Sequence, residues 1–280
     1  MTIAKLTPRF SRKWLAIPYA LFLLFFVVFP LFIIAYYAFV DDNGKLTFEY
    51  VRLFFTGSGN FFKSSVFKTI VTSLFISFMS TLICLLIAYP VAYIIAKSKL
   101  KNKFLLLLLF IVPMWVNFVL RINALKELFV WMGTYNKSDG WNLANTIIGM
   151  VYDFLPFMIL PIYTTIIKID ASYVEAAKDL GASPAKAFVK VTLPLSKAGI
   201  ASGVSMVFLP SMTNYVVSNY LTFRNVKIIG KLIDDCFSSQ LWHDGSFIAL
   251  LLLIFMFLVT WLTGGFKEEQ QTNARGTSLW

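Results

Sequence analysis

The stretch Lys168-Ile-Asp170-Ala-Ser172-Tyr-Val-Glu175-Ala176-Ala177-Lys-Asp-Leu180-Gly181-Ala-Ser183-Pro184-Ala-Lys-Ala-Phe-Val-Lys-Val191-Thr-Leu193-Pro194 is a polar segment between two long apolar runs. Asp170 or Ser172 supplies a side-chain oxygen for the first free amides of a helix. Glu175, Ala176, Ala177 and Leu180 continue it with good helix formers. Gly181 is placed as the left-handed residue just past the helix end. Ser183 before Pro184 is an N-cap followed by proline at the first helical position, so a second helix starts at once. Leu193-Pro194 ends it. Residues 168–197 therefore spell a helix–turn–helix outside the membrane, a shape suited to docking a soluble partner.

The flanking runs, 143–167 and 198–220, each carry enough apolar residues for a spanning helix, which needs about 20. The same pattern recurs at 14–40, 66–96, 104–121 and 245–266. The expectation is an all-α membrane protein with six transmembrane helices, forming a single domain over 1–280. A β-barrel would alternate apolar and polar residues in short segments, whereas Leu105 to Leu109 is an unbroken leucine run. Pro18, Pro30, Pro90, Pro113, Pro156, Pro161 and Pro210 fall inside these runs and favour kinks where neighbours resatisfy the backbone.

Composition agrees. The 280 residues are 58% hydrophobic and 14% charged, against about 45–50% and about 25% in soluble domains. A soluble enzyme domain, a disordered regulator and a disulfide scaffold are excluded. The net charge of +11 is explained by loop lysines rather than by nucleic acid. Cys84 and Cys236 are far apart and make no CxxC or zinc pattern. The first apolar run lacks a small-residue cleavage site and is longer than a signal h-region, so it is kept as a span.

Lys and Arg set the orientation. With the N-terminus inside, fifteen of the 25 basic residues fall in cytoplasmic segments, including Lys97, Lys99, Lys101 and Lys103 in one short loop. Both termini are expected in the cytoplasm, together with the 168–197 loop.

Glu175-Ala176-Ala177, then Gly181 six positions after the glutamate, then Val191-Thr-Leu193-Pro194, resembles the EAA loop of ABC-importer permeases. Val191 stands where that family usually has isoleucine. Ile111-Val-Pro113-Met-Trp115-Val-Asn117, Leu120-Arg121-Ile122, Leu155-Pro156-Phe157-Met158, Pro161-Ile-Tyr163, Asp179-Leu-Gly181-Ala182-Ser183 and Leu209-Pro210-Ser-Met212 are similar to the first permease subunit of spermidine/putrescine importers.

The resemblance implies a type I ABC-importer permease fold in a bacterial inner membrane and no enzyme activity in this chain. It implies a second homologous permease, an ATPase dimer docking on the loop, and an extracytoplasmic substrate-binding protein. ATP and Mg would sit on the ATPase, because this chain has no GxxxxGK[ST]. Glu175, Ala176, Ala177, Gly181, Leu193 and Pro194 would couple it to the spans. Transport would proceed by alternating access. Alternatives are an importer of another small solute and, further off, an ion-coupled secondary transporter, which would favour inverted repeats and several intramembrane ionisable sites.

Asp153 is the one acid within a span. It lines the path for a cationic substrate or pairs with Arg121. Trp115 and Tyr163, next to prolines in family-like stretches, are candidates for cation–π contact with a polyammonium chain. Asn117, Asn123, Asn214 and Tyr215 are polar residues near the path or its outer mouth. Gly199 and Gly203 form a GxxxG that predicts close helix packing, with the permease–permease contact as one site for it. His243, the only histidine, and a short amphipathic helix over 226–237 fall in outer loops. No metal site and no nucleophile–base arrangement is discernible. Gly181→Arg is expected to abolish ATPase copurification with the assembled permease pair; normal copurification and normal uptake would contradict the docking assignment.

Overall fold

The computed structural model describes residues 17–41, 44–48, 52, 65–98 and 102–262. Its regular structure is helical. Four helices are long and apolar enough to cross a membrane: α1 (Ile17–Phe39), α2 (Ser65–Lys97), α5 (Asp139–Ile166) and α11 (Trp242–Leu262). Two further candidates are bent pairs, giving up to six spans. The expected ends at 14–16 and 263–266, and both termini, lie outside the described residues.

The run at 104–121 is not one straight helix. It divides into α3 (Lys103–Trp115) and α4 (Phe118–Trp131), which meet at 92°. Pro113 has no amide to continue the helical ladder. The chain tightens into a 3₁₀ turn over Val112–Trp115, Val116 is extended, and Asn117 restarts the helix. The Asn117 side-chain oxygen accepts from the amides of Val119 (2.9 Å) and Leu120 (3.4 Å).

The 198–220 run also divides. α8 (Lys197–Thr213) ends at Asn214, and α9 (Tyr215–Leu221) follows. Pro210 again sits four residues before the asparagine at the break. Ahead of α8, the loop folds into α6 (Ala171–Asp179) and α7 (Pro184–Leu195), with α7 bent 62° from α8. The amphipathic outer segment becomes α10 (Ile229–Ser238).

α2, α5 and α8 pack together as the core. The inner face of α2 carries Ser73, Ile76, Ser77, Ser80, Cys84, Ala88 and Ala92, all buried. Small side chains at this spacing let helices approach closely, which drives association where lipid removes the hydrophobic incentive. Gly199 and Gly203 complete the contact from α8. A Cβ at Gly199 would lie 2.5 Å from Thr165 Oγ1 and 2.7 Å from the Pro161 oxygen; one at Gly203 would lie 2.7 Å from Met158 Sδ. The GxxxG thus seats α8 on α5 within the chain instead of serving a permease–permease contact, because at Gly199 α5 presents the Pro161 carbonyl at a distance only glycine permits, and at Gly203 it presents the Met158 side chain.

The remaining long helices are peripheral. α11 packs on the Phe29–Phe39 part of α1 and on α10, and His243 Nδ1 lies 2.8 Å from the Tyr37 carbonyl. Phe22, Phe26 and Phe32 of α1 point away from the chain.

Gly203→Leu must push α8 off α5. Overpacking of this kind costs about 1–3 kcal/mol, so the assembled complex should melt several degrees lower in detergent. An unchanged midpoint would show that the α5–α8 seat is not close-packed.

Candidate functional site

Asp153 sits midway along α5 and is 6% exposed. An isolated carboxylate there would be strongly disfavoured. Arg121, one turn past the α3–α4 break, donates from Nη2 to Asp153 Oδ1 at 2.7 Å, and both side chains are 9% exposed. Asn214, at the α8–α9 break, donates from Nδ2 to Asp153 Oδ2 at 3.3 Å. Each carboxylate oxygen therefore holds one donor, and each donor comes from a different broken helix. The guanidinium also stands 5.8 Å from the centre of the Tyr152 ring. Asp153 is thus an ion-paired residue.

The polar chain continues from Tyr215, the residue after Asn214. Its hydroxyl donates to Asp234 Oδ1 on α10 at 3.3 Å. Lys231 bridges Asp234 and Asp235 at 2.8 Å each and lies 5.5 Å from the centre of the Tyr215 ring. The bond from Lys231 holds the Asp234 carboxyl below its usual range, and the two carboxylates raise Lys231. From Arg121 to Asp235, joined through the adjacent residues Asn214 and Tyr215, the set carries three carboxylates and two cations. Trp115, the last residue of α3, is 77% exposed beside the first break. Asn117 next to it is occupied as a cap.

Tyr163 is apart from this cluster. It lies ten residues beyond Asp153 on α5, about 15 Å along the axis, and lines a cavity between the α3 and α5 ends nearest the 168–197 loop.

At that end the loop has the expected local geometry. Asp170 caps α6 by accepting from the Ser172 amide at 2.9 Å, which holds its carboxyl below the usual range. Gly181 has φ +82°, a conformation other residues rarely adopt. The Ser183 hydroxyl oxygen accepts from the Lys186 amide. Glu175, Ala176, Gly181 and Pro194 are exposed, while Ala177 and Leu193 are half-buried. Tyr173, Leu180 and Val189 add exposed apolar surface.

The attachment of this loop to the core is a feature that sequence reasoning missed. Phe188 packs edge-on against Tyr89 (5.7 Å) and Tyr93 (5.2 Å) of α2. Tyr89 also shares a 2.9 Å hydrogen bond with Ser196 at the α7–α8 bend. The four-residue spacing of Tyr89 and Tyr93, one helical face, was the available signal.

Residues 88–267 match the family described as binding-protein-dependent transport system inner membrane component. The chain belongs to that permease family. The permease is 34% identical over 264 residues to the spermidine/putrescine transport system permease protein PotB of Haemophilus influenzae, covering 90% of this chain and 92% of that protein. Against the protein of the same name from Escherichia coli K12 it is 36% identical over 211 residues, 70% and 77% of the two chains. Its fold is similar to a chain of the bacterial alginate ABC transporter crystallised with an alginate pentasaccharide-bound periplasmic protein: TM-score 0.68, 15% identity, 91% and 94% covered. The permease is therefore an ABC-importer component of the inner membrane.

No group of three or more His, Cys, Asp and Glu side chains placed to hold a metal ion occurs among the described residues of the permease.

Arg121→Gln or Asp153→Asn alone leaves a buried charge uncompensated, a change costing about 3–5 kcal/mol. The double variant should recover most of that loss. Thermal melts of the four complexes measure it; additive losses would show that the two side chains do not form a pair.

Proposed function

We propose that this permease forms half of the membrane path of an ATP-driven importer for polyamines, spermidine and putrescine. The observation that carries the proposal is the similarity to spermidine/putrescine permeases across nine-tenths of the chain. The excess of carboxylates in the linked set from Arg121 to Asp235 supports it, since an extended polyammonium is held by carboxylates and aromatic faces.

In this proposal the chain crosses the membrane six times with both termini in the cytoplasm. It pairs with a second, homologous permease. An ATPase dimer, carrying ATP and Mg, docks on 168–197 through Glu175, Ala176, Ala177, Gly181, Leu193 and Pro194. A substrate-binding protein delivers the polyamine outside. Closure of the ATPases moves α6 and α7, and Phe188 passes that motion to α2. The bundle then alternates between inward- and outward-open states, a population shift between two packings.

Asp153 is the cation site of the path. In the closed cluster Arg121 occupies it, and an arriving ammonium competes with the guanidinium. Trp115 and Tyr215 flank the cluster as aromatic surfaces, and Asn117 sets the direction of α4 and so of Arg121. Tyr163 marks the cytoplasmic end of the same helix.

Competition of labelled spermidine uptake by the whole complex in vesicles tests this. Putrescine and other polyamines should compete strongly; monocarboxylates, amino acids and oxyanions should not. Competition by an anion, with none by polyamines, would overturn the substrate assignment.

A further inference from the structure

A cavity lies away from the Asp153 cluster. At the loop end of the bundle, α3 and α5 diverge around a cavity of about 410 Å³, within the range of ligand sites. Its walls are Phe104, Leu105, Leu108 and Ile167, with Asn102, Lys103 and Tyr163 supplying polar groups. Phe104 and Leu105 are well exposed, and Ile167 is 48% exposed, so the cavity opens sideways from the bundle. The lining thus holds a long apolar wall and a single cation.

That cation is held in place. Lys103 Nζ donates to the Ala96 carbonyl at 2.7 Å, at the C-terminal end of α2. Two of its three ammonium protons remain for an anion. Lys97, Lys99 and Lys101 precede it in the same short connection, and no Asp or Glu occurs in the chain between Glu49 and Glu127. The lining itself carries Lys103 and no carboxylate. The site selects the opposite charge.

We propose that this cavity binds an anionic phospholipid, with the headgroup phosphate on Lys103 and one acyl chain along Phe104, Leu105, Leu108 and Ile167. The cavity sits where spans end, the depth at which headgroups and the first acyl carbons meet a protein. Clustered basic residues beside a spanning helix attract acidic lipids with about a fivefold gain per side chain. The Tyr163 ring closes the inner wall, which gives this side chain a role independent of the cluster around Asp153.

Native mass spectrometry of the whole importer complex, purified from mixed phosphatidylglycerol and phosphatidylethanolamine, tests the site. Wild type should retain phosphatidylglycerol in preference to phosphatidylethanolamine. Lys103→Gln should weaken that retention about fivefold, and Leu108→Trp, which fills the cavity without altering charge, should remove it. Thermal melts identify any variant complex that fails to fold, and each substitution tests the site without the other. Equal retention in wild type and in the folded variants would overturn the proposal. So would displacement of the lipid by inorganic phosphate alone, which marks a simple anion site, or by spermidine, which marks a stretch of the substrate path.

Discussion

A carboxylate in the middle of an apolar helix must be neutralised where it stands, and Asp153 is neutralised by groups from two other helices. Arg121 reaches it from beyond one break and Asn214 from within another. Those two bonds fold α4 and α9 back onto α5, where Gly149 and Leu221 meet. Through Tyr215 they also orient α10, whose Ile229 amide donates to Ser73 of α2 at 2.7 Å. One ion pair thus sets the relative placement of both broken helices and of the outer helix beside them. In a low-dielectric interior such a network is costly to leave half-satisfied. It therefore favours the intact cluster over one that has lost a single partner.

At the opposite end of the molecule the loop is tied to the core. The loop helices expose Glu175 and a patch of apolar side chains, yet Ala187, Thr192 and Ser196 are buried. Phe188 between Tyr89 and Tyr93 ties the exposed part to α2, and the glycine contact ties α8 to α5. The loop is thus joined by packed contacts to α2 and, through α8, to α5. Asp153, on α5, is carried by the same body.

Much of this was legible in the residues. The helix at 65–97 was expected at 66–96, and that at 139–166 was expected at 143–167, because apolar length alone defines a span. The caps at Asp170 and Ser183 and the left-handed Gly181 followed from local chemistry. Pro113 was read as favouring a kink, and the 92° bend follows it; the full break at Asn117 was not read, because a count of apolar residues passes over an extended residue such as Val116. The GxxxG contact was placed correctly as close packing, but the permease–permease contact offered for it gives way to α5 of the same chain, since small residues state how near a helix comes and not which helix comes. Phe188 was lost among 29 phenylalanines. Arg121 and Asp153 were recognised as a possible pair, and only the fold shows that Asn214 completes them.

The central claim, that the carboxylate neutralised by Arg121 is also the cation site of transport, is tested most directly by the charge-neutral variant Arg121→Gln, Asp153→Asn. It keeps the packing and removes both charges. In proteoliposomes containing the whole complex, its initial rate of ATP-driven spermidine uptake should fall at least about tenfold, a loss equivalent to about 1.4 kcal/mol, while complex assembly and thermal midpoint stay near wild type. Uptake at the wild-type rate would contradict the account, leaving the pair a structural tie between two broken helices.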